Sequence, residues 1–200
     1  MNKRPDASQR RAIYAPPSES ILVTAPPGYG KTFVMPRRVE YLVKSGNLEI
    51  PERVLGLTFT NAAAGEMLSR LEKCLRIEYL EYVDVTTFHS FCYRVLRAYG
   101  DSIGLAHEFR ILPVSEKREF FSKFMKGQGE HRSREDWYKY EDWERSVVLK
   151  LEYESAEEDS LSECFWDRWK NRQLERNELD FNHLLWFVHV LFHAYPSVLQ

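Results

Sequence analysis

The sequence predicts an α/β protein: a parallel sheet with helices on both faces, and a mainly helical subdomain inserted after the third strand. Three observations carry the prediction. Short apolar, β-branched runs alternate with helix-length amphipathic segments over the first hundred residues. Glycine and proline clusters close these runs. From residue 114 to 178 the strand signal vanishes and Glu, Lys, Arg and Trp dominate.

The elements follow in order. Ile21 to Thr24 is a short apolar run ended by Pro and Gly, and reads as a buried strand. Lys31 to Ser45 places Phe33, Val34, Val39, Leu42 and Val43 at helical spacing, with Gly46 as its stop. Val54 to Thr60 reads as a second strand, and Asn61 as the cap of a helix from Ala62 to about Leu75. Val83 to Phe88 reads as a third strand, followed by a helix through Phe91, Val95 and Leu96 that ends at Gly100. Alternation of this kind implies parallel strands covered on both faces. The helical stretch at 114–178 includes a soft segment, GQGEHRSRED, at 127–136, and LDFNHLLWFVHVLFHAYP at 179–196 is an apolar helix closed by a proline. No internal repeat appears.

Composition bounds the class. Two hundred residues with 44% hydrophobic and 29% charged residues can bury a real core and show no signature of disorder. No run of about 18 apolar residues exists, and the start, MNKRPDASQR, has no apolar stretch behind its charges. The expectation is a cytoplasmic chain with no membrane partner. Cys74, Cys92 and Cys164 are widely spaced and read as reduced, buried small hydrophobes. Residues 1–46 hold eight basic side chains against three acidic ones, so this quarter is where an anion would go, although on charge alone an unevenly charged solvated surface fits better.

Residues 25–32, Ala25, Pro26, Pro27, Gly28, Tyr29, Gly30, Lys31 and Thr32, fit the phosphate-loop pattern with alanine in place of its first glycine. Such a loop between strand and helix turns successive N–H groups inward as an anion nest, aided by the helix dipole. Gly28 and Gly30 permit unusual dihedrals and close backbone approach to phosphate. Lys31 then reaches the β- and γ-phosphates, and the Thr32 hydroxyl is the expected Mg²⁺ ligand. ATP and Mg²⁺ are the expected cofactors, with Lys31 and Thr32 as the catalytic residues.

Four segments in order and spacing resemble the amino-terminal motifs of UvrD/Rep-like superfamily 1 DNA helicases: DASQRRAI at 6–13, the loop, LTFTNAAAGEM at 57–67 and TTFHSFC at 86–92. The resemblance implies a P-loop, RecA-like ATP-binding subdomain (1A) over 1–100. An inserted subdomain (1B) at 101–178 and a return helix at 179–200 would complete it. Gln9 matches the family's adenine-reading glutamine, whose amide can pair with adenine N6 and N7 together. Phe33 replaces an arginine that can lie on adenine, and stacks without charge. Arg38 matches a basic position of the following helix, which a solvated surface residue would also explain. Phe59, Thr60, Asn61, Thr87, Phe88, His89 and Ser90 match positions along single-stranded DNA, where an aromatic face stacks on bases and short polar groups meet phosphates. The same residues also suit core, cap and hydrogen-bonding roles. Ala62 replaces a lysine that follows the asparagine in most members, and Pro26 and Pro27 stiffen the loop.

The implied activity is ATP-dependent 3′ to 5′ translocation and unwinding in DNA metabolism. Its partners would be single-stranded DNA, single/double-strand junctions, the C-terminal remainder of a longer helicase and a nuclease or repair partner. A nucleotide-dependent DNA-binding or regulatory module without unwinding is the alternative. An unrelated P-loop kinase is disfavoured, because TFTN and TFHSF would then be coincidences. The acidic strand for the Mg²⁺ and an arginine at the γ-phosphate are not matched within the 200 residues, so this chain is expected to be an N-terminal fragment with little ATPase activity. His189 and His193 lack a third ligand type at metal spacing. Trp137, Tyr138, Tyr140, Trp143, Trp166 and Trp169 suit a helical core better than a base-stacking surface.

Overall fold

The computed structural model describes residues 4–45, 53–128, 134–150 and 160–199. The chain divides into two compact units, Met1–Phe88 and His89–Gln200.

In the first unit, α1 (Ala7–Tyr14) is followed by α2 (Lys31–Lys44), β1 (Val54–Thr58), α3 (Asn61–Cys74), α4 (Ile77–Leu80) and β2 (Val83–Thr87). β1 and β2 pair in parallel with Val54 opposite Val83 and Thr58 opposite Thr87, so both strands end at the same level. Val39 and Val43 of α2 pack with Leu71 and Leu75 of the α3 segment, and Met67, Val83 and Val85 border this core. Apolar positions three and four apart turn one face of each helix inward.

The second and third expected strands form. The first does not: Ile21–Thr24 has no strand partner among the described residues, and Leu22 is 88% exposed. An apolar strand stays buried only where neighbours cover it, and Pro26 and Pro27 directly after it cannot donate to a ladder. The chain is thus mixed α/β and mostly helical, with small parallel sheets. The expected stop of α2, Gly46, lies outside the described residues. The cap of α3 is Thr60, whose hydroxyl accepts the Ala63 N–H at 3.1 Å, rather than Asn61, which opens the helix.

The second unit contains most of α5 (Phe88–Tyr99), then β3 (Arg110–Ile111), α6 (Val114–Gly127), α7 (Arg134–Lys150), α8 (Ser160–Arg176), β4 (Glu178–Leu179) and α9 (Phe181–Ala194). Residues 129–133 of the soft segment lie outside the described residues. The β3–β4 parallel pair was not legible in the sequence, because two residues per strand carry no periodicity. One core joins α6, α7 and α8 through Phe121, Phe124, Trp137, Tyr140, Trp143, Phe165, Trp166 and Trp169. The expected aromatic core is present, and only Tyr138 of that set is exposed. A second core joins Cys92 and Leu96 of α5 to Leu184, Phe187, Val188 and Leu191 of α9.

Cys92 is buried, as expected, and its thiol is pushed up to about 11 by desolvation, whereas Cys74 is half-buried and Cys164 exposed, contrary to the expectation for those two. Cys164 lies on the solvent-facing side of α8, between the buried positions Ser162 and Phe165. Asn177 takes φ 55° after α8; its side chain accepts from Ala106 N–H at 2.8 Å and donates to the Glu108 carbonyl. Asparagine tolerates this left-handed geometry better than most residues.

Lys117, Tyr140, Glu144, Trp169, Gln173, Asp180 and His183 form a buried polar network in the second unit. The Lys117 ammonium pairs with Glu144 and lies 3.0 Å from Asp180 Oδ2. Trp169 Nε1 donates to Asp180 at 2.6 Å, Tyr140 donates to Glu144 at 2.9 Å, and Asp180 caps α9 by accepting His183 N–H at 2.9 Å. Burial alone raises the Asp180 carboxyl, but His183 and Lys117 outweigh it and hold the group well below the usual carboxylate range. Desolvation and the Glu144 charge push the Tyr140 hydroxyl well above its ordinary value.

Candidate nucleotide and nucleic-acid site

The glycine loop of the first unit has the geometry its residue types require. Gly28 and Gly30 have φ of 84° and 83°, the left-handed region where side chains are strained. At Gly30 an added Cβ would also lie 2.8 Å from Gln9 Nε2, the far end of a flexible side chain that would have to shift. Gly30 precedes the first turn of α2, so the loop leads into a helix N-terminus, the positive end of the helix dipole. The Lys31 ammonium reaches back across the loop to the Ala25 carbonyl.

An open cavity of about 520 Å³ adjoins this loop and is lined by Gln9, Ala25, Tyr29, Gly30 and Lys31 together with Arg11, Thr24 and Val34. Pro26, Pro27, Gly28, Thr32, Phe33 and Arg38 do not line it. Thr32 is exposed at the start of α2, and its hydroxyl bonds to no other described residue, so it is available as an oxygen ligand for Mg²⁺. Its carbonyl is left without a helical donor, because Pro36 lacks the N–H that would bond back four residues. Arg70 of α3 approaches that carbonyl at 3.4 Å.

Gln9 is held by a capping box. Its backbone N–H donates to Asp6 Oδ1 at 2.9 Å, and its Oε1 accepts the Asp6 N–H at 3.1 Å. The Gln9 N–H, then Ser8, hold the Asp6 carboxyl below its ordinary value. The Gln9 amide nitrogen is left as a donor with no partner among the described residues, placed over Gly30. Arg38 has a different setting: its guanidinium donates to the carbonyls of Ile13, Ala15 and Pro16 at the end of α1. Helix C-termini leave such carbonyls unpaired, and the arginine satisfies them.

The strand ends collect the second group. Because β1 and β2 end in register, Phe59 and Phe88 follow them side by side, with ring centroids 5.2 Å apart. Phe59 is 87% exposed and so is not a core residue, whereas Phe88 is half-buried. Thr60 and Asn61 are exposed beside the N-terminus of α3, while Thr87 is 7% exposed and offers little surface. In the second unit, His89 packs edge-on against Phe181 at 5.2 Å, and burial lowers its pKa, favouring the neutral ring. Ser90 is exposed.

His189 and His193 stack with ring centroids 6.3 Å apart. Among the described residues, the only His/Cys/carboxylate group at metal spacing is Glu144, Asp180 and His183. The Lys117 ammonium already supplies the cation there. Sequence reasoning missed this network, because no local pattern joins Lys117, Glu144 and Asp180, which lie on separate elements.

A mixed α/β chain with a glycine loop at a helix start has the local geometry of an anion-binding protein. The chain is a member of the UvrD/REP helicase family: the family model described as UvrD/REP helicase N-terminal domain matches residues 6–200. A probable DNA helicase II homolog from Mycoplasma capricolum subsp. capricolum is 30% identical over 191 residues, covering 90% of this chain and 26% of that protein. ATP-dependent DNA helicase PcrA of Staphylococcus aureus strain Mu50 is 31% identical over 192 residues, and that of Leuconostoc citreum 29% over 186. Each alignment covers 90% of this chain and 25% of the relative. The chain thus spans about a quarter of the length of these curated relatives. No described helix is long and apolar enough to cross a membrane.

Proposed function

We propose that this chain binds ATP with Mg²⁺ at the 25–33 loop and single-stranded DNA at the β1 and β2 ends, as the N-terminal part of an ATP-dependent 3′ to 5′ DNA helicase. The observation that carries the reading is that one unit of the chain holds both the glycine nest with Lys31 and the exposed Phe59 ring packed on Phe88. Lys31 would give up the Ala25 carbonyl to neutralise phosphate oxygens, Thr32 would hold Mg²⁺, and Gln9 would read the adenine edge. Bound Mg²⁺ supplies neutralisation of the phosphate charge. On the DNA side, Phe59 would stack on a base while Thr60, Asn61 and the α3 amides meet phosphates. His89 and Ser90 are assigned with them on the family match, with His89 acting as a neutral hydrogen-bonding group. We also propose the three-part subdivision 1–100, 101–178 and 179–200, with a RecA-like sheet as the frame of the first part.

Stacking of a base on an aromatic ring is worth about 1–3 kcal/mol. Phe59→Ala should therefore weaken binding of a fluorescein-labelled oligo(dT) by about 5- to 150-fold in an anisotropy titration. Equal affinities for the variant and the wild type would remove the DNA assignment. The 200-residue chain should bind nucleotide yet show no DNA-stimulated phosphate release. Turnover at the rate of about 1 s⁻¹ or more common among enzymes would contradict the reading of the loop as a binding half-site.

A further inference from the structure

We propose that Arg38 is a positioning residue for base recognition: by holding the end of α1, it fixes the helix that carries Gln9 as one wall of the cavity beside the glycine loop. The proposal rests on the nucleotide reading above and gives Arg38 a role through α1 in place of a contact with the ligand. α1 has little to hold it by itself. It is eight residues long, and a helix of that length is marginal in water without tertiary support. Its C-terminal end also lacks the usual donors. Pro16 and Pro17 follow directly and have no N–H to bond back to the Ala12 and Ile13 carbonyls, and Ala15 leaves the helix extended, at φ −61° and ψ 149°.

Arg38 supplies those donors from α2. Its Nη1 donates to the Ile13 carbonyl at 3.1 Å and to the Ala15 carbonyl, and its Nη2 donates to the Pro16 carbonyl at 3.1 Å. A planar guanidinium offers several donors in one fixed fork, which a single ammonium does not. Beside it the Tyr14 ring stands edge-on to Tyr41 of α2, with centroids 5.3 Å apart, and Ile13 is buried. The C-terminal end of α1 is therefore set against Arg38 and Tyr41, while Gln9, near its start, lies over Gly30. Gln9, Ala12 and Ala15 all line the cavity, so a shift of α1 moves the base-reading amide and the wall around it. The phosphate groups meet a different part of the chain, because Gly28, Gly30 and Lys31 belong to the loop and to α2.

The test separates base from phosphate and position from contact. Affinities of Mg·ATP and of inorganic tripolyphosphate with Mg²⁺ are measured by calorimetry on the 200-residue chain, for wild type, Arg38→Met, Arg38→Lys, Gln9→Ala and the double variant Arg38→Met/Gln9→Ala. Amide hydrogen exchange reads α1 directly. Arg38→Met is expected to weaken ATP by about 2- to 10-fold, the range of one lost neutral hydrogen bond, with tripolyphosphate unchanged and faster exchange confined to α1. Arg38→Lys should fall between Arg38→Met and wild type. The double variant should bind ATP no worse than Gln9→Ala alone, because Arg38 acts through Gln9. Additive losses in the double variant would make Arg38 an independent contact, and equal loss for ATP and tripolyphosphate would make it a phosphate ligand or a support of the whole unit; either result overturns the proposal. Wild-type ATP affinity in Arg38→Met, beside weakened binding in Lys31→Ala, defeats this proposal alone. If wild type binds ATP no better than Lys31→Ala does, the nucleotide reading itself fails, and this proposal with it.

Discussion

Lys31→Ala is expected to reduce Mg·ATP affinity by about 10- to 150-fold, the range that corresponds to one lost hydrogen bond between charged partners. The physical case is direct. The Lys31 ammonium spans to the Ala25 carbonyl, so the cation already sits across the loop that two left-handed glycines shape. Phosphate oxygens are stronger acceptors than a single carbonyl, and exchange of one for the other favours the ligand. Lys31 is exposed, so its removal should leave the far-ultraviolet circular dichroism spectrum and the melting temperature near those of wild type. Calorimetric titration of Mg·ATP checks the affinity. A change of less than about twofold would mean that the loop is a glycine turn without a phosphate ligand.

The second large effect is on stability. Lys117→Met should destabilise the second unit by about 3–5 kcal/mol, because Glu144 and Asp180 would then be buried carboxylates without their shared cation. The four buried tryptophans of that core, Trp137, Trp143, Trp166 and Trp169, make urea unfolding readable by fluorescence. A loss below about 1 kcal/mol would show that water or rearranged donors replace the ammonium at little cost.

The same network sets a pH window. Asp180 has a folded pKa depressed below its unfolded value of about 3.9, so its contribution is complete above that value and is lost as pH falls through the folded pKa. Tyr140 has a folded pKa raised above about 10, so its contribution is complete below that pH and is lost as pH rises through the folded value. Stability should therefore hold between about pH 4 and pH 10 as far as these two groups control it. In Lys117→Met the acid limb should move to higher pH, since the Asp180 carboxyl loses one of the charges that depress it.

Much of the site was legible because it is local. GYGKT states its own geometry: glycines where φ must be positive, and a lysine and threonine at the following helix start. β1 and β2 were legible from their β-branched runs, and their shared level places Phe59 beside Phe88. Other assignments turned on partners far along the chain. Arg38 resembled a nucleotide contact, yet it satisfies carbonyls more than twenty residues earlier. Thr60 and Asn61 are both good caps, and only the backbone conformation of Thr60, at φ −130° and ψ 149°, decides between them. The apolar segment Ile21–Thr24 has the composition of a buried strand, but composition does not supply the neighbouring strands that burial needs.

Residue order alone determines the glycine loop, the alternation of apolar runs and helices, the aromatic richness of the helical part and the family to which the chain belongs. These depend on periodicity and on conformational preferences that act within a few residues. Tertiary packing decides that Lys117, Glu144 and Asp180 meet in one buried network. It also decides that Arg37 covers Phe33 while the adjacent Arg38 does not. Which charge finds which partner depends on the three-dimensional approach of helices, and in a low-dielectric interior that approach sets whether a charge stabilises the fold or costs it several kcal/mol.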